Sequence, residues 1–289
     1  MNEFLIYMNI LFWNIQKKSS FFDTIIDIVD EEQIDILLLT EFPYVDSYGN
    51  PKDYISLMRS KLQKKVDRSY DYFVSTKKRA EVFYKSSVAN LSGMKDMPLI
   101  SGCKIERPGG LDKISLVFFH LESKVNYDTD EQSESAEDVR KEIESYEKDY
   151  QSDRKTIVCG DFNMNPFEKG MVKAKGFHAV MDEMTARRKS RKYKNKEYHF
   201  FYNPMWGFMG DLGRGEVSGT YYYGKSSHIM YFWNLYDQVL VRPEALQHFD
   251  KDSLKIVTRK TGKYNLLSKS GLLSKHYSDH LPIKYTINL

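Results

Sequence analysis

Asn14, Glu41, His120, Asp161, Asn163, Asp237, Asp279 and His280 stand where predicted strands end or are about to begin. A strand end holds a side chain rigidly, which a reacting constellation requires. The set is rich in hard oxygen donors and holds no cysteine, a composition that suits Mg2+ or Mn2+ better than zinc. Its two histidines titrate near neutral pH. Carboxylates, a hard cation and imidazole, with no GxSxG elbow and no HExxH pair, point to metal-assisted hydrolysis of a phosphate ester. Each residue alone has a plainer reading. A carboxylate after a strand commonly caps a helix or meets a cation, Asn14 can satisfy a turn, His120 can be a hydrogen-bonded structural histidine, and Asp279 can cap the turn before Pro282. Their joint occurrence in this order carries the chemistry. The glycine-rich stretch Gly210 to Gly215 follows no clear strand and lacks the Lys-Ser/Thr ending of a phosphate loop, so it reads as a flexible loop.

The elements that must position these residues alternate along the chain. Phe4, Ile6, Met8, Ile10 and Phe12 fall at period two and predict a strand over 4–14 that delivers Asn14. Phe21 to Val29 reads as a short amphipathic helix. Ile34 to Leu39, apolar except for Asp35, predicts a strand covered on both faces that ends at Thr40-Glu41. Ile55, Met58, Leu62 and Val66 place a helix over 52–66, and strands follow near 70–75 and 81–85. After a Gly/Pro loop at 107–110, Ile114 to Phe119 is a buried-type strand ending at His120. The segment 127–153 carries eleven acidic and three basic residues; it predicts a solvated helix serving solubility and spacing. Thr156 to Cys159 is a short strand running into Gly160-Asp161-Phe162-Asn163. Val239 to Val241 and Ile283 to Ile287 are the last core strands.

Composition narrows the function classes. With 289 residues, 41% hydrophobic, 29% charged, 16 Gly and 8 Pro, the chain is neither disordered nor collagen-like. A net charge of +3 is too balanced to argue for nucleic acid by itself. Cys103 and Cys159 are the only cysteines, which speaks against a disulfide framework and a cysteine zinc site and makes a reducing, cytoplasmic setting the default. No apolar stretch reaches the roughly 18–20 residues of a membrane span. The N-terminus alternates and lacks the basic region and cleavage site of a signal peptide; Met8 is a second candidate start. No linker demands a second domain, so one domain over 1–289 is expected, with a basic and aromatic insertion around 186–234.

The sequence blocks Trp13-Asn14-Ile15, Leu39-Thr40-Glu41, His120-Leu121, Gly160-Asp161-Phe162-Asn163 with Pro166, Tyr236-Asp237-Gln238-Val239-Leu240 and Ser278-Asp279-His280-Leu281-Pro282 resemble the signature blocks of the endonuclease/exonuclease/phosphatase superfamily. They span nearly the whole chain. The resemblance implies an α/β four-layer sandwich, two central mixed β-sheets flanked by helices, with the site at one end of the sheets. It implies Mg2+ or Mn2+ on Glu41, helped by Asn14 and Asp279. Asp161 and Asn163 would orient the attacking water and a phosphate oxygen. His280, held by Asp237 or Asp279, would act as base or charged phosphate contact, and His120 would be a second phosphate-facing histidine. Many members have an acidic residue two positions after the Asn; here it is Gln16, a weaker cation ligand, which puts a second metal position in doubt and leaves one metal on Glu41 or two both open.

Substrate is open at this level, since a fold does not fix a function. Arg187, Arg188, Lys189, Arg191, Lys192, Lys194 and Lys196 form a run without an acid that suits a polyanion, and Trp206, Tyr221, Tyr222, Tyr223 and Trp233 follow it. Basic charge interleaved with aromatics can grip phosphates and stack bases; the plainer alternative is a solvated loop beside a packing segment. The first expectation is a nuclease acting on DNA or RNA, with Arg187, Arg188, Lys189, Arg191, Lys192, Tyr222 and Trp206 as substrate contacts. The second is a phosphatase or phosphodiesterase for a small nucleotide, inositol phosphate or lipid head group. The third is a degenerate module that only binds nucleic acid or protein.

Overall fold

The computed structural model describes residues 6–110, 112–125, 127–150, 153–225 and 228–289. Two mixed sheets form its centre. The first has six strands: β1 (Tyr7–Asn14), β2 (Ile36–Thr40), β3 (Tyr70–Phe73), β4 (Ala80–Lys85), β16 (Phe249–Ile256) and β19 (Ile283–Asn288), in the order β16-β19-β1-β2-β4-β3. The second has seven: β5 (Asn90–Asp96), β6 (Ser101–Glu106), β7 (Lys113–His120), β8 (Thr156–Asp161), β9 (Ala179–Val180), β12 (Phe201–Tyr202) and β15 (Asp237–Val241), in the order β5-β6-β7-β8-β15-β12-β9. Among the described residues, three ribbons of two strands accompany the sheets: β10 (Ser190–Tyr193) with β11 (Lys196–His199), β13 (Tyr221–Tyr222) with β14 (Trp233–Asn234), and β17 (Arg259–Lys260) with β18 (Tyr264–Asn265). The helices are α1 (Phe22–Glu31), α2 (Tyr54–Lys65), α3 (Thr129–Asp149), α4 (Lys169–Val172) and α5 (Glu183–Ala186).

The sheets pack face to face through β1 against β8 and β15 and β4 against β7. The apolar run of β7 shows why its residues are all buried. Leu116 and Phe118 join the core that contains β1, β2 and α1, whereas Val117 and Phe119 point the other way, into a second core with Ala136, Val139 and Ile143 of α3. A strand covered on both faces needs apolar side chains at odd and even positions alike. The expected sandwich of two mixed sheets with helices is therefore the observed fold.

Several elements extend or correct the sequence reading. Positions 4 and 5 of the first predicted strand, and 151 and 152 of the acidic segment, lie outside the described residues. The acidic helix is capped by a reciprocal Asp128–Glu131 box, and it does more than keep the chain in solution: Ala136, Val139, Ile143 and Tyr146 are fully buried against the second sheet. Strands β5, β6 and β16 were not expected. Each carries a solvent-facing or partly exposed side and few large apolar residues, so its alternation is too weak to read. The basic run is not an irregular loop but the hairpin β10–β11. Among the described residues no helix is long and apolar enough to cross a membrane.

Candidate active site

Strand register brings the expected site residues together. His120 and Asp161 are cross-strand partners at the ends of the parallel pair β7–β8, and Asp237, the first residue of antiparallel β15, lies opposite Asp161. Three side chains thus share one end of the second sheet. In the first sheet Asn14 pairs with Thr40, and Glu41 follows at once. The chain then turns sharply: Gln16, Glu41 and Asn163 have φ of 51°, 47° and 49°, a left-handed backbone uncommon for such residues and concentrated at functional sites. Gly160 is required by packing, since a Cβ there would sit 2.5 Å from the carbonyl oxygen of Phe119.

A hydrogen-bonded cluster joins the two sheets. Asn14 Nδ2 donates to Glu41 Oε1 and to Asp161 Oδ2, each at 3.1 Å. His120 Nε2 lies 3.5 Å from Glu41 Oε1 and 3.4 Å from Asp161 Oδ2. The other oxygen of Asp161 accepts from the backbone N–H of Asn163 at 2.9 Å. His280 Nδ1 is 2.8 Å from Asp237 Oδ2, and its Nε2 is 3.7 Å from Asp161 Oδ2. Trp13 Nε1 donates to the His280 carbonyl, and Ser278 Oγ accepts from the His280 N–H. Asn163 Nδ2 donates to the Leu121 carbonyl, while Gln132 of α3 donates to the Asn163 carbonyl. The GDFN turn is therefore braced from two sides.

Burial sets the electrostatics. It opposes charge on His280, yet Asp237 and Asp161 outweigh it and raise the imidazole to about 10. Burial likewise opposes ionisation of Asp161, but the neighbouring His280 and His120 and the Asn163 N–H hold it down at about 2. Asp237 is raised above the ordinary carboxylate range, because desolvation exceeds the pull of His280. His120 is desolvated too; the hydrogen bond and charge of Asp161, with Glu41, nonetheless raise it. The His280 imidazole is thus held protonated against the buried carboxylates of Asp161 and Asp237, each partner offsetting the other's desolvation.

The donor chemistry fits a hard cation. Asp161 and Asp237 offer carboxylate oxygens within 4.8 Å of one another, no sulfur is involved, and the buried Oε1 of Gln16 has no hydrogen-bond partner; His280, protonated between the two aspartates, is their counter-charge and not a ligand. The residues assigned to a metal by resemblance are arranged differently from one another. Glu41 meets Asp161 through Asn14 and His120. Asn14 turns its nitrogen to both carboxylates and uses Oδ1 to accept the Gln16 N–H at 3.0 Å. Asp279 is taken up by Gln16, whose Nε2 donates to Asp279 Oδ2 at 2.9 Å.

The insertion divides. Tyr222 lines a cavity with Gln16 and Asp279, whereas Trp206 lines another with His178 and Arg191. Arg191 Nε donates to His178 Nε2, Arg187 meets Glu183, and Lys189 Nζ is 3.9 Å from Glu244. Glu244 lies beyond Val241, at the end of β15 opposite to Asp237, so the hairpin root is about 13 Å along that strand from the site. Arg188 and Lys192 are exposed on the same hairpin segment. Tyr221 and Tyr236 were not among the residues singled out as contacts. Tyr221 packs 4.8 Å from the His280 ring and stacks on Tyr236 at 5.3 Å. The position of Tyr236 immediately before Asp237 was the available signal.

No protein-family profile and no curated protein sequence matches the chain. Solved structures match it over nearly its full length. An endonuclease/exonuclease/phosphatase family protein from Bacteroides thetaiotaomicron superposes with a TM-score of 0.57 at 12% identity, covering 99% of both chains. ANGEL2, described as a 2',3'-cyclic phosphatase, gives 0.59 at 15% identity over 99% of this chain and 96% of its own. D. rerio TDP2 complexed with a single-strand DNA product gives 0.53 at 16% identity, over 98% and 99%. At these identities the likeness is one of fold, and the chain has the endonuclease/exonuclease/phosphatase fold.

Proposed function

We propose that this chain is a divalent-metal-dependent phosphodiester hydrolase that cleaves nucleic acid by in-line attack of water. The observation that carries the reading is the buried line Asp237–His280–Asp161 meeting Glu41, Asn14 and His120 across the two sheets. Phosphoryl transfer asks chiefly for positioning and charge stabilisation, and this cluster is built for both. Asp161, ionised and fixed by the Asn163 N–H, orients the water. His280, kept protonated at Nε2 by Asp237 behind it, neutralises charge growing on the phosphoryl oxygens, and His120 does the same from the opposite side. Glu41 and Asp161, whose oxygens converge on Asn14 and His120, would hold Mg2+ or Mn2+. When bound, the cation supplies Lewis-acid stabilisation of the phosphate oxygens. The single-stranded DNA product held by D. rerio TDP2 favours a nucleic-acid substrate, and the buried, unpaired thiols of Cys103 and Cys159 favour a reducing compartment such as the cytoplasm.

The test is hydrolysis of single- and double-stranded DNA, RNA, inositol polyphosphates and cyclic dinucleotides with Mg2+ or Mn2+, using Asp161→Ala to control for contaminants. Polynucleotide cleavage abolished by EDTA and by the variant is expected. Turnover confined to a small phosphate ester would move the assignment to a phosphatase, a reading that the likeness to the 2',3'-cyclic phosphatase ANGEL2 supports. Silence on every substrate would leave a binding module.

A further inference from the structure

Beside the catalytic cluster lies a cavity of about 380 Å³ walled by Gln16, Lys18, Tyr222, Leu273, Tyr277 and Asp279. Its volume falls within the range of small-ligand sites. Two features tie it to the reacting centre: Gln16 and Asp279 are bonded to each other, and Asp279 directly precedes His280. The cavity thus adjoins the turn that carries His280.

The walls select the kind of group. The Tyr277 ring is fixed edge-on against Phe21 at 5.8 Å, and Phe21 packs on Trp13 at 5.1 Å. The Tyr222 ring is fixed edge-on against Trp233 at 5.3 Å. Both rings are held by aromatic neighbours, so little side-chain freedom is left to lose on binding. Lys18 Nζ donates to the Tyr277 carbonyl and anchors the same wall. The tyrosine rings with Leu272 and Leu273 offer apolar faces, while Gln16, Ser274, Ser278 and Asp279 offer polar atoms, a mixture that suits a planar heteroaromatic ring with polar edge atoms.

We infer that this cavity receives the nucleobase attached to the phosphate being cleaved. The inference rests on the phosphodiesterase reading for its biological meaning, but its test does not require turnover. The full chain in EDTA is titrated with adenosine 5'-monophosphate and with ribose 5-phosphate, and saturation-transfer NMR records which ligand protons touch protein. Stacking of a base on aromatic side chains corresponds to roughly 5- to 150-fold in affinity. Adenosine monophosphate should therefore bind at least about fivefold tighter than ribose 5-phosphate, with saturation strongest on the adenine protons. Tyr277→Ala, which removes a wall, and Leu273→Arg, which fills the space from a half-buried position, should each erase the difference. Equal affinities, no binding of either ligand, or a base preference that survives in both variants when circular dichroism shows them folded, overturns the inference. Absence of hydrolysis with base-selective binding intact would instead count against the phosphodiesterase reading alone.

Discussion

His280 Nδ1 and Asp237 Oδ2 lie 2.8 Å apart with side chains 8% and 0% exposed. A charged pair removed from water is stable only when both partners remain, because either alone is an uncompensated buried charge. The same contact fixes the ring and leaves Nε2 directed toward Asp161. The ring's orientation is thus set by Asp237, and its protonation by Asp237 and Asp161 together.

Removing the ring tests its role directly. His280→Ala should lower turnover by about 10²–10³-fold, the usual range for removing one group that stabilises charge developing in the transition state. Steady-state kinetics on a variant shown to be folded checks this, and a loss under about tenfold would take His280 out of the reacting machinery.

The charge pattern also makes stability depend on pH. The folded imidazole of His280 lies at about 10, above its ordinary 6.5, so its stabilisation is complete below pH 6.5 and is lost as pH rises toward 10. Asp161 behaves oppositely: held at about 2 against an ordinary 3.8, it stabilises fully above about pH 4 and loses that contribution as pH falls toward 2. In EDTA, the Tm advantage of the wild type over His280→Gln should shrink between pH 6.5 and 10. A gap constant across that window would contradict the ion pair.

Gln16 stands where its side-chain amide joins Asp279. Gln16→Asp replaces that hydrogen bond with two facing carboxylates, a repulsion a divalent cation relieves. The variant should melt about 2–4 °C lower than wild type in EDTA, the shift expected for roughly 1 kcal/mol in a chain of this size, and should recover selectively on adding Mg2+. Equal responses of the two proteins to Mg2+ would show that no cation reaches this position.

The basic hairpin should matter for long substrates only. Its root lies about 13 Å along β15 from Asp237, about four nucleotides at a rise of about 3.4 Å per strand residue. Neutralising Lys192, Lys194 and Lys196 should weaken binding of a long oligonucleotide and flatten its salt dependence, yet spare a dinucleotide substrate. An unchanged salt slope with the long ligand would make the hairpin a solvated projection.

Arg242 and Glu147 form a second buried pair, 0% and 3% exposed, with Nε and Oε1 at 2.8 Å. The guanidinium also lies 3.8 Å over the Phe201 ring. It follows the end of β15 opposite to Asp237, so Arg242→Ala should cost about 3–5 kcal/mol of unfolding free energy while the folded fraction keeps its kcat/KM. Denaturant unfolding measured alongside kinetics separates the two effects.

Much of this was legible in the chain. Asn14, Glu41, His120, Asp161 and Asp237 could be placed at strand ends because β1, β2, β7, β8 and β15 are buried on both faces or alternate strongly, and apolar periodicity reports burial. β5, β6 and β16 were not legible, since a half-exposed strand with short polar side chains leaves little periodic signal. Residue type likewise announced a site of carboxylates and imidazoles and a chain able to bury it.

Pairing could not be announced in the same way. Whether His280 would lean on Asp237 or Asp279 was open in the sequence; the β8–β15 register sets Asp237 beside Asp161, and Gln16 takes Asp279. The charge run read as a neighbour of the site, but the hairpin it forms is rooted at the far end of β15. Local sequence determined which residues could react and where each strand would end, because those properties depend on near neighbours along the chain. Which groups meet, which are desolvated and which proton is held were decided only by tertiary structure, because contacts between residues 43 positions apart, as His280 and Asp237 are, or 263 apart, as Gln16 and Asp279 are, exist only once the strands have paired and both sheets have closed on one another.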